Sequence, residues 1–548
     1  MQFVLRRLKK NLKMPTPLKI LSASQIRAAD AYTIEHEPIA SIALMERAAF
    51  KCLVWFSEHC KKTPRFYVFC GLGNNGGDGL ALALMFYKSG YDHVNVFILR
   101  YSDKTSLDFD ENFKRLSELK EIKIVELNKS NLADNFPTLG NGDIIIDAVF
   151  GTGISKEITG FVAECIQKMN SAAQTNPTIE IISIDMPSGL FADVHSNPES
   201  PIIKATTTLT FQCPKLAFMF PENSEFVGDV VVLDINLHEK YIEQTTTEHY
   251  FLEKSFVKSL IKPRKKFSHK GIFGHALIIA GSYGKIGAAL LAGSACLRSG
   301  VGLLTMYVPK CGYEIIQIGI PEAMTVTDSG LVESGRLKVE SENNFIQNIL
   351  STFNFQLSTF NSIGIGPGIG IDKSTQTVVM DFLKNSSQPL VIDADALNIL
   401  SLNNVKTQGF ASLPPDSILT PHPKEFERLT RKVENDFDRH ALQINFSKEH
   451  KVYVILKGAN TCITTPEGKS YFNSTGNPGM AKGGSGDILT GILTGLLAQG
   501  YSCLNTCLLG VYIHGLAGDL AKKNKGEIGM ISGDIIEFLP QAFINLQN

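Results

Sequence analysis

The chain carries almost no net charge. Its 53 lysines and arginines stand against 54 acidic residues over 548 positions, a net of −1. Such a chain has no bulk electrostatic drive toward nucleic acid or an anionic membrane, and neither partner is expected. None of the ten cysteines forms a CxxC pair, which argues against a structural zinc site. The pattern predicts buried free thiols in a reducing compartment, here the cytoplasm, with Cys503 and Cys507 on one helical face. There is no low-complexity tract and no short-period repeat. Residues 488–518 contain no charged side chain, yet Gly491, Gly495, Gln499, Gly500, Ser502, Asn505 and His514 interrupt them. A membrane span needs about 20 predominantly apolar residues. The stretch therefore predicts two buried helices broken at Gly500. The first acid is Asp30, preceded by Arg6, Arg7, Lys9, Lys10 and Lys13. That basic start lacks the apolar core of a secretory signal. It reads as a frayed extension, or as a start at Met14, before it reads as a mitochondrial presequence.

What is present is 44% hydrophobic residues, 46 glycines and 23 prolines, a composition for packed cores joined by tight turns. The length implies more than one domain. Apolar, β-rich runs occur at 66–70, 94–99, 144–149, 179–184, 206–211 and 230–234, with helical periodicity between several of them, as at 80–87 and 161–169. This alternation is the signature of βαβ units on a mostly parallel sheet. Two helices should precede the first strand, one capped by Ser22 or Ser24 and one containing Leu44-Met45-Glu46-Arg47-Ala48-Ala49. Residues 237–270 are polar and break the pattern. A second series follows at 276–280, 303–308, 362–365, 390–393 and 452–457. The reading is an α/β chain of two domains, 1–242 and 243–548.

The run 66–70 leads into Gly71-Leu72-Gly73-Asn74-Asn75-Gly76-Gly77-Asp78-Gly79 and then a helix. Glycines let a ligand approach the backbone, and a helix N-terminus offers N–H groups to an anion. Gly71, Gly73 and Gly76 also satisfy GxGxxG, but the acidic residue that should follow about 20 positions on is missing. That omission speaks against a dinucleotide-dependent dehydrogenase. Two later strand ends reach the same sheet edge, one at Asp147-Ala148-Val149-Phe150-Gly151-Thr152-Gly153 and one at Asp185-Met186-Pro187-Ser188-Gly189. Ligands of parallel sheets bind at carboxyl ends of strands. One Asp there reads as a helix cap; three glycine-flanked loops with Asp or Asn read as a site.

LMERAA, GLGNNGGDG, DAVFGTG and IDMPSG together resemble the epimerase half of the bifunctional NAD(P)H-hydrate repair enzymes, a Rossmann-like three-layer sandwich, over about residues 18–240. The resemblance implies that Asn74, Asn75, Gly76, Gly77 and Asp78 contact the dinucleotide. Gly151, Thr152, Gly153, Ile154, Ser155, Lys156 and Glu157 would form a second binding loop, and Asp185 would stand at the reacting ring. Asn75, Asp147 and Ser188 would supply oxygens to a potassium ion, and an all-oxygen set suits a hard cation.

In the second series, Lys482-Gly483-Gly484-Ser485-Gly486-Asp487 opens an apolar helix. Successive glycine N–H groups at a helix start form a nest for phosphate. Asp487, in the first turn, is placed to take a hydroxyl proton while the nest stabilises a moving phosphoryl group. The loops 364–370, 393–397, 420–425 and 457–461 end other strands, the last before a β-hairpin. GPGIG, VIDADAL, TPHPKEF, KGANT and GGSGD together resemble the ribokinase-like, nucleotide-dependent NAD(P)HX dehydratases over about 265–540. That implies Ala288, Gly368, His422 and Asp487 on the hydrated dinucleotide, and Lys457, Gly458, Ala459, Asn460, Thr461 and Gly486 on ADP or ATP with Mg2+. The resemblance as a whole implies epimerisation of R and S NAD(P)HX, dehydration of the S form to NAD(P)H, and a homo-oligomer. The alternative is a ribokinase-like small-alcohol kinase fused to a Rossmann-like binding or scaffold module.

Overall fold

A computed structural model describes residues 15–60, 63–327, 359–404 and 413–548. The basic start lies outside the described residues. Two compact units form, one from Lys19–His249 with Asn435–Phe437, the other mainly from Tyr250–Glu434 and Asp438–Asn548.

The first unit holds a seven-stranded sheet. Its strands are β1 (Phe66–Cys70), β2 (Val94–Leu99), β3 (Lys123–Leu127), β4 (Ile144–Ala148), β5 (Glu180–Ile184), β6 (Thr207–Phe211) and β7 (Asp229–Leu233). The order is β3-β2-β1-β4-β5-β6-β7, and every pair is parallel. The chain runs outward from β1 to β3, then returns to β4 on the other side of β1. That reversal places a crevice outside the carboxyl ends of β1 and β4, where open α/β sheets bind ligands. Alternation along β1 builds the layers. Phe66, Val68 and Cys70 pack with Phe56, Leu80 and Phe86 of the helices Ser41–His59 and Asn74–Lys88. Tyr67 and Phe69 face Val162, Ile166 and Met169 of the helix Gly160–Thr175. The expected strands appear within a residue of their predicted ends. The exception is β3, an unpredicted edge strand whose Lys123 and Glu126 face solvent.

The eleven-stranded sheet of the second unit ends in two short strands, Leu18–Lys19 and His249–Phe251, and otherwise comprises β8 (His275–Ile279), β9 (Leu303–Val308), β10 (Met324–Thr327), β11 (Ser362–Ile365), β12 (Leu390–Ile392), β13 (Ile418–Leu419), β14 (Tyr453–Leu456), β15 (Cys462–Thr464) and β16 (Ser470–Phe472). Strands β8 to β16 lie in the order β16-β15-β14-β13-β12-β11-β8-β9-β10. All neighbours among them are parallel except the expected hairpin, β14 with β15 and β15 with β16. Leu277, Ile279, Ile363 and Ile365 face the helices Lys373–Asn385 and Ala394–Asn404, while Ala276 and Ile278 face the helix Ile286–Arg298. The charge-free stretch folds as Ser485–Ala498 and Cys503–Lys525, broken at Gly500 as its sequence implies. Its glycines serve helix packing: a Cβ on Gly491 would lie 2.0 Å from the carbonyl oxygen of Ala292. No helix among the described residues is long and apolar enough to cross a membrane.

Candidate active sites

At the first site the helix begins earlier than its apolar periodicity indicates. It starts at Asn74, with Gly73 as an extended cap, so Asn74 to Asp78 are helix rather than loop. The first helical bond runs from Gly77 N–H to Gly73 O at 3.0 Å, which leaves the preceding N–H groups without intrahelical partners. Glycine is obligatory in the turn. A Cβ on Gly71 would meet Val149 O at 2.0 Å, and one on Gly76 would meet Gly71 O at 1.9 Å. Gly77 packs on Met45 instead of on open space. Asn74 is exposed and Asp78 half-buried.

Asn75 turns inward and is buried, and its Nδ2 has no hydrogen-bond partner. A Cβ placed on Gly151 would sit 3.1 Å from Asp185 Oδ2 and 3.3 Å from Asn75 Oδ1. The ends of β1, β4 and β5 thus converge on one point. The loop beyond Gly151 is irregular, and Gly153, Ser155, Lys156 and Glu157 face solvent while Thr152 and Ile154 are half-buried.

Asp147 is fully buried in β4. Its Oδ1 accepts from Ser188 Oγ at 2.5 Å and Val149 N–H at 3.3 Å, and its Oδ2 from Ser183 Oγ and Ser188 N–H, both at 2.8 Å. Ser188 Oγ also accepts from Phe150 N–H at 2.8 Å. Burial raises the Asp147 pKa, and the Ser188, Ser183 and Val149 hydrogen bonds pull it back in part.

Asp185, after β5, holds a left-handed backbone with φ +65°. Non-glycine residues in that region are strained, and such strain clusters at functional sites. Behind Asp185 lies Lys215, which the sequence reading does not include. Its ammonium donates to Asp185 Oδ1 at 2.8 Å. A signal existed: Lys215 is the only charged residue between Ala205 and Phe220. Asp30, also unforeseen, is raised to about 7, by burial first and then by the charge of Asp185.

In the second site Gly484 caps the helix Ser485–Ala498 in the left-handed region, φ +94°. The helix opens at Ser485 rather than Ile488, which places Asp487 in its first turn. Lys457, which ends β14, is largely buried and donates to Asp393 Oδ1 at 2.9 Å. Asp393 Oδ2 accepts from Thr490 Oγ1 at 2.8 Å, one turn beyond Asp487. A Cβ on Gly486 would lie 3.3 Å from Lys457 Nζ. One lysine therefore stands at the mouth of the glycine nest, beside Asp487. Burial and the charge of Asp393 raise the Asp487 pKa to about 6, against the pull of Lys457.

His422 is the N-cap of the helix Pro423–Leu429: its Nδ1 accepts from Glu425 N–H at 3.3 Å, and Glu425 returns a bond to His422 N–H at 2.8 Å. Gly368, φ +65°, is packed beside Ala288, whose Cβ would be 3.1 Å from a Cβ on that glycine. Residues 457–461 form the turn between β14 and β15, held by Thr461 Oγ1 donating to Gly458 O at 2.9 Å, with Ala459 exposed and Asn460 half-buried. Ser485 Oγ lies 3.4 Å from Nε2 of His514, a half-buried imidazole that desolvation lowers to about 4. Nothing in its apolar helix marked His514 as part of the nest.

Two family models match the chain. The model for the YjeF-related protein N-terminus matches residues 41–217, and the model for NAD(P)H-hydrate dehydratase matches residues 276–541. A bifunctional NAD(P)H-hydrate repair enzyme of Moorella thermoacetica is 34% identical over 96% of this chain and 97% of its own length. One from Thermofilum pendens is 31% identical over 96% of each chain. A solved ADP/ATP-dependent NAD(P)H-hydrate dehydratase from Bacillus subtilis, crystallised with ATP and Mg2+, is 28% identical over 54% of this chain and 98% of its own, with a TM-score of 0.44. With an epimerase-type and a dehydratase-type domain in one chain and relatives matched along nearly their whole length, the protein belongs to the bifunctional NAD(P)H-hydrate repair enzymes.

Proposed function

We propose that the two activities divide near residue 243: 1–242 interconvert the R and S epimers of NAD(P)HX, and 243–548 dehydrate the S epimer to NAD(P)H with ADP or ATP as the phosphoryl donor. The observation that carries the dehydratase reading is the placement of Lys457, 2.9 Å from Asp393 and at the nest that holds Asp487. Hydration leaves a hydroxyl on the ring carbon next to nitrogen, and hydroxide departs poorly. Asp487 takes the hydroxyl proton as its oxygen attacks the terminal phosphorus of the nucleotide. The nest and Lys457 stabilise the charge that moves with the phosphoryl group. Phosphate then leaves with the C–O electron pair, supported by the ring nitrogen lone pair, and loss of a proton from the adjacent carbon closes the double bond. Mg2+ accompanies the nucleotide and supplies charge neutralisation. Ala288, Gly368 and His422 hold the hydrated dinucleotide, and Gly458 to Thr461 the adenine nucleotide.

In the first site, Asn74 to Asp78 and Gly151 to Glu157 bind the dinucleotide, with Asp185 at the reacting ring. Asn75, Asp147 and Ser188 fit a potassium ion. The fit rests on Asp147, a buried carboxylate whose four hydrogen-bond donors are all neutral, and on the buried, inward-turned Asn75, which brings an amide oxygen to the same sheet edge. Bound there, the ion supplies positive charge that fixes the three loop ends. The protein works as a homo-oligomer in the cytoplasm.

The test is one assay on purified full-length protein: mixed NADHX epimers with ADP or ATP, followed by the return of NADH absorbance. Complete conversion of both epimers with ADP supports the reading. Conversion of only half the substrate would remove the epimerase, and phosphorylation of a small alcohol without NADH return would favour the kinase alternative.

A further inference from the structure

Lys215 is fully buried, and four oxygens surround its ammonium: Asp185 Oδ1 at 2.8 Å, Thr210 Oγ1 at 2.7 Å, Phe211 O at 3.2 Å and Cys213 O at 3.4 Å. Burying an ammonium is costly, so a lysine placed this way has a carboxylate to hold. The carboxylate it holds is the strained one. Asp185 is fixed from three sides, by its backbone N–H to Leu209 O at 2.8 Å, by Thr210 Oγ1 at 3.5 Å from Oδ1, and by the ammonium. Its Oδ2 points the other way, toward Gly151 and Asn75. Two further carboxyls face this pair, Asp30 from the helix Ala23–His36 and Asp78 from the helix Asn74–Lys88, with the thiols of Cys52 and Cys213 also within its field. Burial and the charge of Asp185 push both carboxyls upward, so Lys215 is the one cation among these groups.

We propose that Lys215 is a positioning residue for epimerisation: it clamps Oδ1 of Asp185 and leaves Oδ2 as the oxygen that exchanges a proton with the bound ring. The proposal rests on the reading that Asp185 stands at the reacting ring. The step balances without any oxidant. Oδ2 takes the proton of the ring hydroxyl, the C–O bond becomes C=O, and the C–N bond breaks with its electron pair going to the ring nitrogen. The carboxyl returns the proton to that nitrogen. Rotation about the adjacent C–C bond and reversal of the same transfers close the ring with the opposite configuration.

The experiment uses full-length protein carrying Lys215→Met, Lys215→Arg, Asp185→Asn, or Lys215→Met with Asp185→Asn. Epimer interconversion is measured as kcat and KM, and dehydration of the S epimer in the same preparation reports on folding of the rest of the chain. A misaimed acid–base group costs about 10²-fold. Lys215→Met should lower kcat of epimerisation by about that factor with KM little changed. Lys215→Arg, which keeps the charge, should regain part of the lost kcat. Dehydration should be unchanged, and Lys215→Met should have no further effect once Asp185 is Asn. A rise in KM in place of the loss of kcat, no gain by Lys215→Arg over Lys215→Met, or an equal loss in the Asp185→Asn background, would overturn the proposal. If Lys215→Met does not accumulate as folded protein, Thr210→Val loosens the same ammonium; a loss of kcat at constant KM supports the clamp, and no loss overturns it. Full epimerisation by Asp185→Asn would instead remove the underlying reading of Asp185.

Discussion

Asp147 and Asp393 occupy equivalent places in their units, each a fully buried carboxylate at the carboxyl end of an inner strand, and each meets a different electrostatic fate. Asp147 receives four hydrogen bonds, all from neutral groups, and burial raises its pKa. Burial alone would raise Asp393 too, but the ammonium of Lys457 and the hydroxyls of Thr420 and Thr490 hold it below the usual carboxylate range. Four neutral hydrogen bonds do not substitute for a countercharge in a low-dielectric interior. The dehydratase unit carries its cation on its own chain. The epimerase unit carries one for Asp185, in Lys215, and none among the described residues for Asp147. The proposed potassium ion would complete the set.

The largest effect that separates the two sites should come from Asp487→Asn. Loss of a general base typically costs about 10²–10⁴ in rate. Dehydration should fall by that factor while epimerisation proceeds as before, measured on the two epimers separately. Retention of more than about a tenth of the dehydration rate would reduce Asp487 to a helix cap.

Removing the two buried carboxylates tests the comparison directly. Asp393→Ala leaves the Lys457 ammonium with only the more distant Glu425, 3.9 Å away, as a countercharge, a loss of up to about 3–5 kcal/mol for a broken buried pair. Asp147→Ala strands only hydroxyl and amide donors, a loss of about 1–3 kcal/mol. Urea unfolding of each variant reads the difference, and equal losses would mean that Lys457 is not the feature that distinguishes the sites. A pH profile sharpens the same contrast. As the proposed base, Asp487 would act only when ionised, and its pKa is raised to about 6, chiefly by burial. The dehydration rate should therefore be halved near pH 6 and fall about tenfold for each unit below it, while remaining flat from 7 to 8.

How much of this was legible beforehand follows from what each feature depends on. The inner strands could be read because burial on both faces forces continuous apolar runs such as Ile144-Ile145-Ile146. The edge strand β3 escapes the pattern because its Lys123 and Glu126 face water, and β13, two residues long, is marked only by the loop 420–425 that ends it. The glycine loops announced both sites, since close backbone approach admits no other residue at Gly71 and Gly76. Helix starts were misplaced by several residues at Asn74 and Ser485, because glycine-rich first turns carry no apolar periodicity. Lys215, Asp30 and His514 depend on partners 25 residues or more distant in sequence or on burial alone, and local pattern does not encode either.

The smallest predicted effect concerns the proposed ion. A ligand that binds only the folded state stabilises it in proportion to the logarithm of its concentration, about 1.4 kcal/mol at ten times Kd. A unit of this size shifts its midpoint by about 2–4 °C per kcal/mol. Potassium should thus raise the melting transition of the epimerase unit by a few degrees over a choline buffer of equal ionic strength. Mg2+ should do less, because it demands near-ideal octahedral geometry and sheds water reluctantly, whereas Asn75, Asp147 and Ser188 are held by separate loop ends. The shift should vanish in Asp147→Asn, which keeps the shape and removes the charge. The dehydratase transition, whose buried carboxylate already has Lys457, should not respond to the cation at all. A shift of equal size in Asp147→Asn, or one shared by both transitions, would show that potassium acts on the surface at large and would leave Asp147 a buried carboxylate without a countercharge.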